Sequence, residues 1–240
     1  MMMQVERPQV RGEGQAHAAG PAESRATPSA TTRAESAHHV PLLLVISAPS
    51  GAGKTTLCQA LLAQDPSLTR AITCTTRAPR PGEQDSVDYH FLEPATFQRR
   101  VAAGEFLEHA QVHGHSYGTL KSEVLDRLRQ GCDVLLNVDV QGAASIRACA
   151  AQWPEIQQSL CTVFVAAPSL VELEARLRKR AQDAEDVIAR RLRAARGEMA
   201  HWREFDYFVV SDNVPNGLRR MQMIIEAERM RPFRVIPPEL

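Results

Sequence analysis

The sequence predicts an α/β fold: a three-layer core with a mostly parallel sheet and helices on both faces, built around a P-loop. Three observations carry this reading. Residues 42–46 are an uninterrupted apolar run of strand length, as expected of a strand buried on both faces. A glycine-bearing turn over 47–53 joins that run to Lys54, Thr55 and Thr56, which open a helical pattern with Leu57, Ala60 and Leu61. Further apolar runs at 132–140 and 161–166 alternate with helix-period segments, the order that builds a parallel sheet.

Strand, glycine turn, lysine, hydroxyl and helix, in that order, make a phosphate-binding loop. Gly51 and Gly53 let the backbone curl so that successive N–H groups face one anion, and the helix N-terminus adds donors. Ala48, Pro49, Ser50, Gly51, Ala52, Gly53, Lys54, Thr55 and Thr56 are therefore the candidates for binding ATP. Lys54 is expected to reach the β- and γ-phosphates and Thr55 to place its hydroxyl on Mg²⁺. Ala48 stands where the usual pattern has its first glycine, at the strand exit and farthest from the lysine.

Residues 1–39 are rich in Ala, Ser, Thr, Pro, Gly and Glu without apolar periodicity, and a disordered tail is expected there. The tail has no apolar stretch of the secretory-signal kind, and Glu6, Glu13, Glu23 and Glu35 argue against an organelle transit peptide. After the first helix, 68–74 reads as a strand and 75–83 as a proline-stiffened loop. Arg77 and Arg80 in that loop suit a dianionic phosphate, because a guanidinium fork binds two oxygens at once. A strand is expected at 87–92, a helix at 94–103 stopped by Gly104, and a strand at 105–112 with Phe106, Glu108 and Ala110 on one face. A carboxylate on such a face needs a partner, which a bound base with N–H donors would supply. Residues 114–119 read as a turn offering Tyr117 and Thr119, and 121–130 as a helix stopped by Gly131. The apolar run from Cys132 ends in Asn137 and Asp139, a Walker-B-like arrangement that holds Mg²⁺ directly or through water. Helices follow at 143–151, 168–180 and 183–202, the last carrying Arg190, Arg191, Arg193 and Arg196. A strand at 206–211, a helix at 215–230 and a loose end beyond Pro232 complete the chain. The short strands between Cys74 and Lys121 indicate a small inserted domain.

Composition narrows the partners. Lys plus Arg and Asp plus Glu each total 28, so no global basic field attracts nucleic acid. No apolar run approaches the roughly 18 residues of a membrane span. The five cysteines form no CxxC pair and read as reduced, packed thiols of a cytoplasmic protein. The oligomeric state is open.

With these residues assembled, the chain resembles the guanylate kinases, P-loop nucleoside monophosphate kinases that phosphorylate GMP with ATP. The resemblance rests on SAPSGAGKTT, on TTRAPRPGE followed by DYHF, on EFLEHAQVHGHSYGT, on VDVQGA and on RLRKR with the helix after it. It implies a kinase core over 40–73 and 120–232, a GMP-binding insert over 74–119 and a helical lid at about 176–200. It places Arg77, Arg80, Tyr89 and Tyr117 on the GMP phosphate and Thr73, Glu108 and Thr119 around the guanine. It puts Asp139 near the guanine and the metal shell, and brings Arg180 and Arg191 from the lid to the transferring phosphoryl group. Lys54, Arg180 and Arg191 are thus the expected catalytic residues, with Mg²⁺ accompanying ATP.

The sequence departs from that family's pattern in places. Asn137 replaces the first carboxylate of an Asp-x-Asp, and Ser116 the first of two tyrosines. Lys179 and Ala181 replace two lid glycines, and Ser211 stands where an Asn is expected near the adenine. Two other readings remain: a non-catalytic guanylate kinase-like binding module, which Lys54 disfavours, and a P-loop kinase acting on a ribose phosphate, which has no use for Glu108, Tyr117 and Thr119.

Overall fold

The structure, a computed structural model, describes residues 40–112, 114–179 and 185–235, so the expected tail over 1–39 lies outside the described residues. In chain order the elements are β1 (Leu43–Ser47), α1 (Lys54–Gln64), β2 (Leu68–Arg70), β3 (Cys74–Thr75), β4 (His90–Phe91), α2 (Pro94–Ala102), β5 (Phe106–Val112), β6 (His115–Leu120) and α3 (Lys121–Arg129). Then come β7 (Asp133–Asn137), α4 (Val140–Ala150), α5 (Pro154–Ser159), β8 (Leu160–Ala166), α6 (Leu170–Lys179), α7 (Glu185–Met199), β9 (Tyr207–Val210) and α8 (Val214–Arg229).

The apolar runs become the centre of a five-stranded sheet ordered β2-β7-β1-β8-β9, with every neighbouring pair parallel. β1 shows why its run carries no polar alternation. Leu42, Leu44 and Ile46 pack with Leu57 and Leu61 of α1 and with Leu218, Met221 and Ile225 of α8. Leu43 and Val45 point to the opposite face, among Val124 and Leu128 of α3 and Ile146 of α4. Both faces are covered, as a parallel sheet requires. The register sets Ile46 beside Asn137, and the Val138 N–H donates to the Ile46 carbonyl at 3.2 Å. The loop leaving β1 and the segment leaving β7 therefore emerge side by side at the carboxyl edge of the sheet, where ligands of such sheets collect.

A second sheet, ordered β4-β3-β6-β5, is mixed: β3 runs parallel to β4 and antiparallel to β6, and β6 antiparallel to β5. Its own core is small. Cys74, Phe97, Phe106 and Leu120 form it, with the Phe97 and Phe106 rings stacked at 4.5 Å.

Several local expectations change. Residues 68–74 are two strands in different sheets, not one. The chain crosses between sheets at 71–73, where Ala71 N–H donates to the Leu135 carbonyl and Ile72 N–H to Glu123 Oε1. The turn expected at 114–119 is the strand β6, because cross-strand pairing with β5 outweighs the local Gly and Ser signals. The strand expected at 87–92 shortens to β4, after a loop in which Ser86 takes φ 61°. α5 was not foreseen, being too short for a helical period to register. The segment after Pro232 is held down as far as it is described. The Arg234 guanidinium is 1% exposed and donates to the carbonyls of Pro41 and Ser159 and to Glu228, while its own carbonyl accepts from Val40 N–H.

Candidate active site

The P-loop is built by backbone conformation. Gly51 and Gly53 have φ near +91° and +92°, a region L side chains avoid. Gly51 has a second reason to be glycine, since a Cβ there would meet Leu177 Cδ2 of α6 at 2.7 Å. Ala52 N–H closes the turn on the Pro49 carbonyl, and Gly53 caps α1 with no side-chain acceptor, leaving the helix end open to an external anion. Lys54 folds back to donate from Nζ to the Val138 carbonyl at 2.6 Å. Burial lowers the pKa of its ammonium, while the Cys58 thiol and the carboxylates of Asp139 and Glu198 work the other way.

A cavity of about 240 Å³ is lined by Ser50, Lys54, Thr55, Asp139 and Glu198 among others. Asp139 reaches it as the N-cap of α4, its Oδ1 accepting from Gly142 N–H at 2.7 Å. A cap of this kind fixes the direction of the carboxylate. Glu198, on the last turn of α7, accepts from Ser50 N–H at 3.0 Å. Nothing in the sequence signals that contact, because 148 positions separate the two residues.

Glu108 is placed by an irregularity. Phe106 opposes Leu120 but Glu108 opposes Thr119, so β5 carries one extra residue, Leu107, in a bulge. The bulge reverses the alternation that put Phe106 and Glu108 on one face. Phe106 enters the small core of the four-stranded sheet, Leu107 joins the main core, and Glu108 turns to the face of Thr119. Thr119 Oγ1 donates to Glu108 Oε1 at 2.8 Å, and Glu108 is 8% exposed. Burial pushes its pKa up to about 7, the Asp139 charge adding to the rise and the Thr119 hydrogen bonds opposing it.

Arg77 is held by Glu83, whose two oxygens each lie 2.9 Å from Nη2. Glu83 also accepts from Arg80 N–H, so one carboxylate fixes both the side chain and the turn. The Arg77 guanidinium lies 5.4 Å from the centre of the Tyr89 ring, and Tyr89 meets Tyr117 edge-on at 6.2 Å. Thr73, Tyr89 and Thr119 line one further cavity of about 150 Å³ together with Thr55 and Asn137. A larger cavity of about 580 Å³ lies on the other side of the loop, between Gly51–Gly53 and Arg176, Ser211 and Asp212.

The structure thus gathers Lys54, Thr55 and Asp139 in one place, Thr73, Tyr89 and Thr119 in a second, and Arg77, Tyr89 and Tyr117 in a third, with Glu108 bonded to Thr119. Arg80 stands apart, exposed at its turn. Arg191 is half-buried on α7, seven residues from Glu198 and so on the same helical face. Arg180 and Ala181 lie outside the described residues. Sequence reasoning missed Glu83, whose place within the arginine loop was a usable signal. It also gave no role to Arg176, which donates to the carbonyls of Ser211 and Asp212, or to Arg70, which ties β2 to the carbonyls of Val87 and Asp88.

Comparison with known proteins places the chain in a family. A family model described as guanylate kinase matches residues 41–228. A guanylate kinase of Paramagnetospirillum magneticum is 45% identical over 195 residues, covering 81% of this chain and 88% of that protein. One from Methylobacillus flagellatus is 47% identical over 189 residues, covering 79% and 90%. The crystal structure of guanylate kinase from Anaplasma phagocytophilum superposes with a TM-score of 0.64 at 29% identity, covering 83% of this chain and 92% of that one. On matches that span nearly all of the relatives' length, this chain belongs to the guanylate kinase family.

Proposed function

We propose that the chain transfers the γ-phosphoryl group of ATP to the phosphate of GMP, giving ADP and GDP. The observation that carries this reading is the position of Asp139. It lines the P-loop cavity, and its charge acts on the buried Glu108, so a phosphate site and a site for a base bearing N–H donors adjoin.

In this reading Ala48 to Thr56 wrap the ATP phosphates, with Lys54 leaving the Val138 carbonyl to neutralise the β- and γ-oxygens. The cavity beside Arg176 and Ser211 takes the adenine. Arg77, Arg80, Tyr89 and Tyr117 hold the GMP phosphate, and Glu83 keeps Arg77 in place before the substrate arrives. Glu108 accepts from guanine N1–H and N2–H, with Thr73 and Thr119 beside it. Arg180 and Arg191 bring positive charge to the transferring group from the lid, about 176–200, and the insert over 74–119 serves as the GMP domain. The acceptor is a phosphate oxygen, already anionic, so no general base is needed.

Thr55 and Asp139 are hard oxygen donors on one cavity and fit Mg²⁺, which would enter with ATP. When bound, the ion supplies neutralisation of charge on the β- and γ-phosphates. The unpaired thiols Cys58, Cys74, Cys132, Cys149 and Cys161 support a reducing, cytoplasmic setting. The test is an ADP-release assay with GMP, AMP and a ribose bisphosphate as acceptors. Turnover with GMP far above the others is expected. Equal turnover on another acceptor, or none on any, overturns the reading.

A further inference from the structure

We propose that Glu198 is a phosphate placeholder: in the nucleotide-free protein its carboxylate occupies the P-loop from α7, and the phosphates of the donor must displace it. The inference rests on the reading that the P-loop binds the donor's phosphates. Ser50 N–H belongs to the curled backbone that presents amides to an anion, and the group it binds here is Glu198 Oε2, at 3.0 Å. Glu198 lines the same 240 Å³ cavity as Lys54, Thr55 and Asp139, so carboxylate and phosphate compete for one volume as well as one donor.

The placement is unfavourable by local rules. Glu198 lies one residue from the end of α7, where the helix dipole repels an anion. Its compensation comes from the P-loop, and the approach is imposed by packing. Ala195, one turn earlier, is fully buried in the main core and sets which face of α7 looks toward the loop. A donor phosphate arriving at Ser50 N–H meets a like charge already bound there, so the Glu198 carboxylate has to withdraw together with the last turn of α7 that carries it. Glu198 thereby makes the position of the lid helix responsive to the donor, acting as a positioning residue rather than a catalytic one.

The test titrates the full chain and its Glu198→Gln variant with ATP and, separately, with metal-free inorganic tripolyphosphate. The variant keeps the shape and an amide acceptor but removes the competing charge. Both anions are expected to bind about 5-fold tighter, because the binding-competent state is no longer taxed. The gain is expected to shrink at high ionic strength, which a purely structural effect would not show. Affinity for either anion that is unchanged or weaker in Glu198→Gln overturns the proposal. A measurement on the unaltered protein guards against a variant that fails to fold: hydrogen exchange at the last turn of α7 should quicken when tripolyphosphate saturates the chain, and unchanged or slower exchange overturns the proposal too. Lys54→Ala separates the two levels. If it binds ATP as tightly as the parent chain does, the phosphate reading itself fails. If it loses ATP while Glu198→Gln gains nothing, only the placeholder fails.

Discussion

The two sheets hold their ligand-facing groups by different means. The five-stranded sheet is buried on both faces, and its P-loop presents backbone amides whose direction follows from glycine φ angles and the end of α1. The four-stranded sheet has a core of four buried side chains, and what it presents are side chains: Glu108, Thr119, Tyr117, Arg77. A backbone cradle suits any polyphosphate and tolerates side-chain change, provided the glycines remain. A side-chain reader can tell one base from another, but it needs each group fixed by a neighbour, as Thr119 fixes Glu108 and Glu83 fixes Arg77. In the proposed reading the general site therefore sits on the robust part of the molecule and the selective one on the part with least core to spare.

That contrast breaks first at Lys54, the one P-loop side chain assigned a charge role. Lys54→Ala is expected to lower kcat by about 10³-fold, the usual scale for losing a group aimed at transition-state charge. Thermal unfolding should move little, because Lys54 lines one cavity and its partner residue Val138 lines the neighbouring one, so water can replace the lost ammonium. Near-normal turnover in the folded variant would remove the P-loop from the mechanism.

On the four-stranded side, Phe97→Ala should cost about 3 kcal/mol or more by opening a cavity beside Phe106. With so small a core, the loss should be local. GMP KM is expected to rise about 10²-fold, while ATP affinity stays within twofold. Hydrogen exchange over α2 and β5 against β1 checks where the loss falls. A uniform loss would mean that the two sheets unfold as one unit.

Glu108→Gln sharpens the comparison at a single atom. Thr119 donates to Oε1, so the variant's amide oxygen is held there and its NH₂ faces the base. One guanine donor then meets a donor, and the kcat/KM preference for GMP over AMP should fall about 10²-fold, a fraction of what a hydrogen-bonding site can achieve. An unchanged preference would leave Glu108 with a structural role only.

Legibility followed the same divide. The P-loop is a local feature, with strand, glycines, lysine and helix contiguous from 43 to 64, so sequence spacing alone described it. Asp139 was legible for the same reason, at the end of an apolar run. The residues of the proposed base site could be named from the sequence, but not their geometry. The bulge at Leu107 arises from pairing with β6, and β6 itself read as a turn until paired. A two-face alternation cannot reveal a residue that inverts it. Glu198 was invisible, because only the tertiary fold brings α7 over Ser50. Arg234 was misread as loose because its partner, Glu228, is a buried carboxylate on α8, and a charged residue in sequence reads as solvent-exposed.

The smallest expected effect concerns protons. The Glu108 carboxyl, at 4.5 in its ordinary state, is pushed up to about 7 by burial. The folded state therefore holds this proton more tightly than the unfolded one does. Its contribution to folding stability is full below about 4.5 and is lost as pH rises through about 7. Binding of GMP has the opposite sign, since guanine N–H donors require the ionised carboxylate. Below about pH 7 the site must release a proton to take the base, and the GMP dissociation constant should fall up to tenfold per pH unit before levelling off above it. The GMP phosphate itself titrates near pH 6 and adds its own slope. Glu108→Gln carries that second slope without the first, so the ratio of the two dissociation constants across about pH 5.5 to 8.5 isolates Glu108. The ratio should change by up to about tenfold per pH unit below neutrality and flatten above it, and ATP affinity should show no difference between the two proteins at any pH. A ratio that is flat throughout would mean that Glu108 is already ionised before GMP arrives. The surroundings of Glu108 would then be read as a polar site open to water, with its selectivity coming from the rigidity of the Thr119 contact instead of from a buried charge.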